Sequence, residues 1–414
     1  MPRILKAVFG LVFVLLLVSL PFLHHGHAAD IHQEWSEDDI RSMQRLRLSA
    51  QGIADKNSAN ELLYRNDAIE LGRRLFHDTG MSGSGQVACM TCHRPENGYQ
   101  DTEYMTFKLD PEAQHRAPGL LGVALQDWFF WDGRADSLWS QALAVIENPK
   151  EVASSRLQAV RHLCAQYGKS YPALLKDCQR ADLPDAPLHA SPLVAEEGWQ
   201  MLSAAQQENI NKLFIILGKS IAAFEAGLLP AISPFDLYVD AIAARDFTAA
   251  AAILNEKEAA GLKLFLDTKV GCINCHNGPM FSSSGFFIVA TDTPGQAKHD
   301  RRRGIDILLG SEFNCLKLGK PENCLKLLYI NKDSAETAGA YKVPSLRNLR
   351  HAPAFMHDGR FKSLKAVIEY YQNPPTLPLR HIDIRPTALF PHQREQLLSF
   401  LNTLNADFSQ QEVK

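Results

Sequence analysis

The chain carries no surplus of charge of one sign. Its 43 Lys and Arg against 46 Asp and Glu leave a formal net charge of −3 over 414 residues. That balance argues against a nucleic-acid partner, because phosphate contacts call for a strongly basic face. Past the N-terminus no apolar run is long enough to cross a bilayer. Nothing in the residue alternation points to a large sheet, and a short run such as Phe286 to Ala290 is strand at most. Cysteine is scarce, 8 in all, with none near the N-terminal apolar segment, which argues against a lipoprotein. The remaining composition, 46% hydrophobic and 21% charged, is that of a globular chain long enough for two domains.

The N-terminus has the layout of an export signal. Arg3 and Lys6 precede an apolar stretch from Ala7 to Leu23, and His27-Ala28-Ala29 offers a cleavage site before Asp30. Residues 1–29 are therefore expected to be a signal peptide, with a periplasmic mature chain and no membrane span. An uncleaved anchor is the alternative, since the apolar run is near the lower limit for spanning.

Two short motifs stand out from this background. Cys89-Met90-Thr91-Cys92-His93 and Cys272-Ile273-Asn274-Cys275-His276 are both Cys-x-x-Cys-His. In this pentad two thiols add across the haem vinyl groups, and the adjacent histidine becomes the proximal iron ligand. Structural zinc would need four ligands per metal, and no second Cys or His pair is spaced to complete either site. Two covalently held c-type haems are thus expected, on Cys89, Cys92 and His93 and on Cys272, Cys275 and His276. The basic run Arg301-Arg302-Arg303 reads as a solvated loop or a haem-propionate partner.

The pentads sit inside a longer repeat. Gly72 to Asp78 (GRRLFHD) precedes the first and Gly261 to Asp267 (GLKLFLD) the second. Downstream, Pro118-Gly119-Leu120 matches Pro344-Ser345-Leu346, and Asp-Gly-Arg-x-x-Ser-Leu follows each proline at the same distance, from Asp132 and from Asp358. Such spacing implies duplication of one haem-binding unit. Each site can then be compared with the other. Leu364, Val367, Ile368 and Tyr371 share one helical face, whereas Tyr370 points elsewhere. The position matching Tyr371 in the first unit is Val145, which cannot ligate iron. If this position faces the distal side of each haem, one iron is six-coordinate with Tyr371 and the other is open; otherwise Tyr371 is a core aromatic.

Four cysteines remain: Cys164, Cys178, Cys315 and Cys324. In an oxidising compartment they pair most simply with their sequence neighbours, Cys164 with Cys178 and Cys315 with Cys324, although two other pairings are formally allowed. The second pair would tie down an insertion from about Ile305 to Ala335. Most of the chain reads helical, notably over Asp67 to Phe76, Gln206 to Leu217, Glu256 to Phe265, Ser363 to Tyr371 and His392 to Leu404, with Asn66 or Asp67 as the first helix's N-cap. Pro230 to Pro234 is the expected boundary between an N-terminal unit, 30–230, and a C-terminal unit, 231–414.

With these residues assembled, the chain resembles the bacterial dihaem cytochrome c peroxidase/MauG family. The resemblance rests on Leu75-Phe76, both pentads, Phe130-Trp131-Asp132-Gly133-Arg134, Ser233-Pro234-Phe235-Asp236, Pro344-Ser345-Leu346-Arg347-Asn348 and His357-Asp358-Gly359. It implies a mainly α fold of two cytochrome-c-like haem domains in tandem, facing each other across a cleft, with the peroxide site at the N-terminal haem. It implies that Trp131 lies between the haems and couples them, and that Gln141 and Glu151 are the distal polar pair. It also makes Tyr371 the axial oxygen ligand that marks the MauG-like branch, where peroxide scavengers carry methionine. Scavengers that need prior reduction carry a histidine in the loop after the first pentad; between Arg94 and Leu109 this chain has none, and only Met105 could ligate.

Some positions depart from the family. Its interdomain calcium site uses an asparagine two residues before the Pro118 position, where Arg116 stands here. That arginine disfavours the ion, and its guanidinium is a candidate substitute for the ion's charge. MauG has a surface tryptophan two residues before its second pentad, and here Val270 occupies that place. Trp128 and Trp139 are alternative electron relays or packing residues.

The expected function is an exported dihaem enzyme that uses hydrogen peroxide to form a high-valent state shared by two haems. It would then oxidise an aromatic residue, tryptophan first, of a partner protein. The alternatives are a peroxide-scavenging peroxidase drawing electrons from a small cytochrome c or cupredoxin, and a non-catalytic electron-transfer protein.

Overall fold

The computed structural model describes residues 31–48, 60–110, 115–179, 183–184, 189–192, 194–291, 300–318, 324–376 and 381–406. The expected export segment lies outside the described residues. Among the described residues no helix is long and apolar enough to cross a membrane.

The expected mainly helical, two-unit architecture is what the structure shows. In the first unit, helix Asn66–His77 buries Ala68, Leu71, Leu75 and Phe76, an apolar stripe at helical spacing. It packs on the long helix Ala204–Glu225. The crossing is so close at Gly72 that a Cβ there would lie 1.8 Å from the carbonyl oxygen of Ser220. In the second unit, helix Glu256–Leu266 buries Ala259, Leu262 and Phe265 against Pro391–Asn402. There a Cβ on Gly261 would lie 2.0 Å from the carbonyl oxygen of Gln396. The glycine that opens each repeat therefore exists for helix contact, and it is the same contact twice.

Local backbone geometry repeats as well. Phe130 and Met356 both adopt left-handed conformations, with φ of 64° and 65°, as do Gly133 and Gly359 at 68° and 70°. Phe129 bridges Ala135 and Phe355 bridges Phe361 in matching antiparallel pairs. Each turn is closed by an arginine bonded to the aspartate two residues earlier, Arg134 to Asp132 and Arg360 to Asp358. Each is followed by a helix whose N-cap is the motif serine, Ser137 or Ser363.

Among the described residues two large cores result, beside a small cluster of Leu308, Cys324 and Leu327. Leu228 belongs to the first and Phe235 to the second, on either side of 230–234. Residues 31–48, assigned to the N-terminal unit by sequence position, pack instead on the second core through Trp35, Met43 and Leu46. The cause is specific bonding. Trp35 Nε1 donates to the Tyr238 hydroxyl at 2.7 Å, Leu48 N donates to Asp236, and Arg347 reaches the Leu46 carbonyl. Arg347 also forms a buried two-pronged ion pair with Asp236, both bonds 2.8 Å, so the Ser233 and Pro344 motifs are one structural device.

Other expectations shift in detail. The helix expected from Asp67 begins at Asn66 with Arg65 in the cap position, because Asp67 is held by Arg65 at 2.7 Å instead of capping; a shorter helix, Glu37–Leu46, precedes it. The strand expected over Phe286 to Ala290 is reduced to Phe286–Phe287, paired antiparallel with Tyr341–Lys342. Cys164 pairs with Cys178 and Cys315 with Cys324. Arg301 is not in a solvated loop. It starts helix Arg301–Gly310, is buried, and donates to the carbonyls of Asp132 and Gly133 across the unit boundary. The insertion that follows carries Phe313 into the first core and Glu312 to Arg156 at 2.9 Å.

Candidate active site

The two pentads fold alike. Cys89–Cys92 and Cys272–Cys275 each make one helical turn that ends at the histidine. His93 Nδ1 lies 3.2 Å from the Tyr99 carbonyl, and His276 Nδ1 lies 2.9 Å from that of Phe281. This pairing makes Nδ1 the protonated nitrogen and leaves the Nε2 lone pair for a metal. Burial holds both imidazoles below the usual histidine range, in the neutral form a ligand needs. All four pentad cysteines are unpaired with one another. Burial raises their thiols, to about 12 for Cys92 and Cys272 and to about 11 for Cys275.

A cavity opens over the first pentad, with roughly 1190 Å³ of space between atoms, part of it open to solvent. Cys89, Cys92 and His93 form one part of its lining. Helix Leu138–Glu147 contributes Gln141, Ala142 and Val145 from one face, and the turn after it contributes Glu151, whose amide donates to the Asn148 carbonyl. Glu151 Oε2 is enclosed without a hydrogen-bond partner. Burial raises its carboxyl pKa, partly offset by Arg134. The structure thus brings Gln141, Glu151 and Val145 to the same cavity as the first pentad. Met105 is not among the lining residues, but His115 is.

At the second pentad, Tyr371 comes from helix Leu364–Gln372. Burial, then the neighbouring Cys272 and Cys275 thiols, push its phenol pKa up, so the side chain is adjacent to this pentad. Tyr370 faces away and donates to the Val289 carbonyl at 2.7 Å. The tyrosine and the valine that occupy matched repeat positions therefore lie at matched sites.

Trp131 sits between the units. It is buried, lines the first cavity, and lies 6.4 Å from the His357 ring of the second unit. Its carbonyl accepts from the Lys342 amide at 2.8 Å. The other two candidate relays are placed differently. Trp128 has Arg301 at 4.3 Å and Lys326 at 4.9 Å over its ring, two cations that oppose removal of an electron. Trp139 is buried against Phe313.

Three lining residues escaped the sequence reading. His115 lies outside the Arg94 to Leu109 loop in which a closing histidine is expected, and it packs against Tyr341 and His357 from the cavity wall. Glu225 ends helix Ala204–Glu225 with its Oε2 buried and unpartnered, and no motif marks it. Lys342 stands two residues before Pro344, as Arg116 stands two before Pro118, so aligning the repeats at that offset would have found it.

Residues 66–243 match the family model described as di-haem cytochrome c peroxidase. The chain is 29% identical over 344 residues to the methylamine utilization protein MauG of Methylorubrum extorquens, covering 82% of this chain and 79% of that one. The chain is similar to di-haem cytochrome c peroxidases and to MauG, over residues 66–243 by the family model and over 344 residues by this relative. A second relative is the cytochrome c551 peroxidase of Nitrosomonas europaea, 26% identical over 306 residues and covering 73% and 72% of the two chains. The fold is shared with the diheme peroxidase BthA of Burkholderia thailandensis, with a TM-score of 0.59 at 18% identity over 86% of this chain and 89% of that one. The protein is accordingly a haem peroxidase-type oxidoreductase, and its similarity to di-haem cytochromes implies haem c as cofactor. The residues fit that group: paired buried thiols, a neutral histidine with Nε2 available, and an adjoining cavity with an orphaned carboxylate oxygen. They do not fit the family's interdomain calcium, which needs converging oxygen donors. Arg116 and Lys342 bring cations to that wall instead.

Proposed function

We propose that this is a periplasmic dihaem enzyme that spends hydrogen peroxide on oxidising an aromatic side chain, tryptophan first, of a partner protein. The observation that carries this reading is the asymmetry of the two sites. Tyr371 adjoins the second pentad, while the matched position at the first is Val145, beside Gln141 and Glu151.

The haems supply iron that cleaves peroxide and stores the resulting oxidising equivalents. The chain's own groups do the rest. His93 and His276 present Nε2 as ligands from rings fixed at Nδ1. Gln141 orients hydrogen peroxide by hydrogen bonding from the cavity wall. Glu151 takes a proton from one peroxide oxygen and returns it to the other, which leaves as water; a placed proton shuttle of this kind contributes ~100- to 10,000-fold. Val145 adds no ligand and leaves room for peroxide. Tyr371 would ligate the second haem's iron through its phenol oxygen with loss of the proton, and such a donor favours oxidised iron where a thioether would favour reduced iron. Trp131 bridges the units for electrons.

A second reading, the peroxide scavenger, is favoured by one observation: His115 lines the first cavity and is a histidine that could close it at rest. Stopped-flow spectroscopy of the fully oxidised protein with stoichiometric peroxide separates the two. Fast reaction giving a long-lived near-infrared charge-resonance band supports partner oxidation, and replacing Tyr371 by Met or Phe should abolish that band. No reaction before one haem is reduced would favour the scavenger, and an unchanged band in the Tyr371 variants would sink the role given to Tyr371.

A further inference from the structure

Two buried cations converge on the first cavity, and among the described residues neither is held in a salt bridge, although Glu151 and Glu225 line the same cavity. Lys342 is 7% exposed, and its ammonium is bonded to the amide oxygen of Gln126. Arg116 donates through Nε to the Met356 carbonyl at 3.0 Å and through its backbone N–H to the His357 carbonyl at 2.8 Å. Both residues line the wall that also carries Cys89, Cys92 and His93. Burial lowers the lysine to about 8 with no neighbouring acid opposing it, and lowers the arginine to about 10 despite Asp101 and Tyr104. An ammonium withdrawn from water with only a neutral partner is costly, and such groups persist where a counter-charge arrives.

The two positions are equivalent in the repeat, each two residues before a matched proline. Each unit thus contributes one cation to one cavity. Both cations are also tied to Trp131. The Lys342 amide donates to its carbonyl, and its indole donates to the carbonyl of Arg116. The anions that haem itself brings are its two propionates, on the macrocycle edge remote from the vinyl groups that cysteines capture.

We propose that Arg116 and Lys342 are the counter-ions of the propionates of the haem held at Cys89, Cys92 and His93, in the place where relatives hold a bridging calcium ion. The assignment rests on haem at that pentad and not on which substrate the enzyme oxidises. With the propionates bound, the positive pair beside Trp131 is neutralised, so it does not oppose electron loss from that ring.

The test is spectroelectrochemical titration of both haems in the holoprotein. Lys342→Met removes the charge and keeps the length. It should shift the ferric/ferrous equilibrium of the first haem toward ferric roughly tenfold, the size expected of one unit charge across a haem at an effective dielectric of about 20. That is 59 mV for one electron. Lys342→Arg and Arg116→Lys should hold the wild-type potential. If Lys342→Met fails to accumulate, Lys342→Gln carries the same expectation. A first-haem potential unchanged by charge removal, or an equal shift at both haems, overturns the proposal. Chelation with EGTA should leave both potentials of the wild-type protein untouched, and a chelation-dependent change would overturn the replacement of calcium. None of these readings depends on peroxide turnover, so failure here is distinct from failure of the proposed function.

Discussion

The indole Nε1 of Trp131 donates to the backbone carbonyl of Arg116 at 2.8 Å, and the guanidinium of that same arginine lies 5.3 Å from the ring centre. One residue thereby fixes the tilt of the ring and sets the charge beside it. Replacing Trp131 by Phe keeps an aromatic ring of smaller size and loses the N–H, the hydrogen bond alone being worth about 1 kcal/mol in stability. The near-infrared band after peroxide should disappear while the resting spectrum stays. Trp128→Phe is the contrast: the cations of Arg301 and Lys326 already disfavour an electron hole there, so the band should persist. Loss of the band in the Trp128 variant alone would reverse the assignment of the relay.

Glu151→Gln should slow the reaction with peroxide by ~100- to 10,000-fold without altering the resting haem spectrum. The pH profile carries its own sign. Glu151 must be ionised to take a proton, and burial lifts its carboxyl above the usual range. The wild-type rate should therefore rise with pH through a pKa higher than that of an ordinary glutamate, and the Gln variant should lack that limb. Stopped-flow rates across the acid and neutral range decide it; an identical profile in the variant removes Glu151 from proton transfer.

Much of this was legible in the sequence because duplication writes every structural demand twice. The glycine before each pentad, the Asp-Gly-Arg turn and the capping serine recur at fixed spacing because each unit needs the same helix crossing, the same left-handed bend and the same cap. Tyr371 was readable as the exception within that repeat. Glu225 was not, since burial of an unpartnered carboxyl at a helix end follows from tertiary packing and leaves no local pattern. The same holds for residues 31–48, whose place on the second core depends on Tyr238 and Arg347, far away in sequence. Arg301 misled because a run of arginines looks solvated until the turn at Gly133 is seen to receive it.

Glu225 predicts a pH-dependent stability. Burial alone pushes its carboxyl up to about 8, whereas the unfolded chain releases that proton near the ordinary value of about 4.3. Between those values the folded state holds a proton that the unfolded state has lost. The folded state is thus favoured below the lower value, and the advantage is lost as pH rises through about 8. Glu225→Gln stays neutral throughout. Its melting temperature relative to wild type should climb between pH 5 and pH 9, and parallel curves would mean that Glu225 is ionised or solvated in the fold.

The matched glycines allow the two units to be weighed separately. A Cβ at Gly72 would meet the Ser220 carbonyl oxygen at 1.8 Å, and one at Gly261 the Gln396 carbonyl oxygen at 2.0 Å. Both obstacles are backbone, so relief requires the paired helices to move apart, and overpacking of this kind typically costs 1–3 kcal/mol, occasionally more (about that range or above it here). Gly72→Ala should loosen the contact between Asn66–His77 and Ala204–Glu225, which carries the first pentad's surroundings. Gly261→Ala should do the same to Glu256–Leu266 on Pro391–Asn402. Calorimetry of the two variants should therefore show a lowered transition in each. Hydrogen exchange should rise in the first helix pair for Gly72→Ala and in the second for Gly261→Ala. If either alanine is accommodated without a fall in stability, the close crossing is not what selects glycine at the head of the repeat.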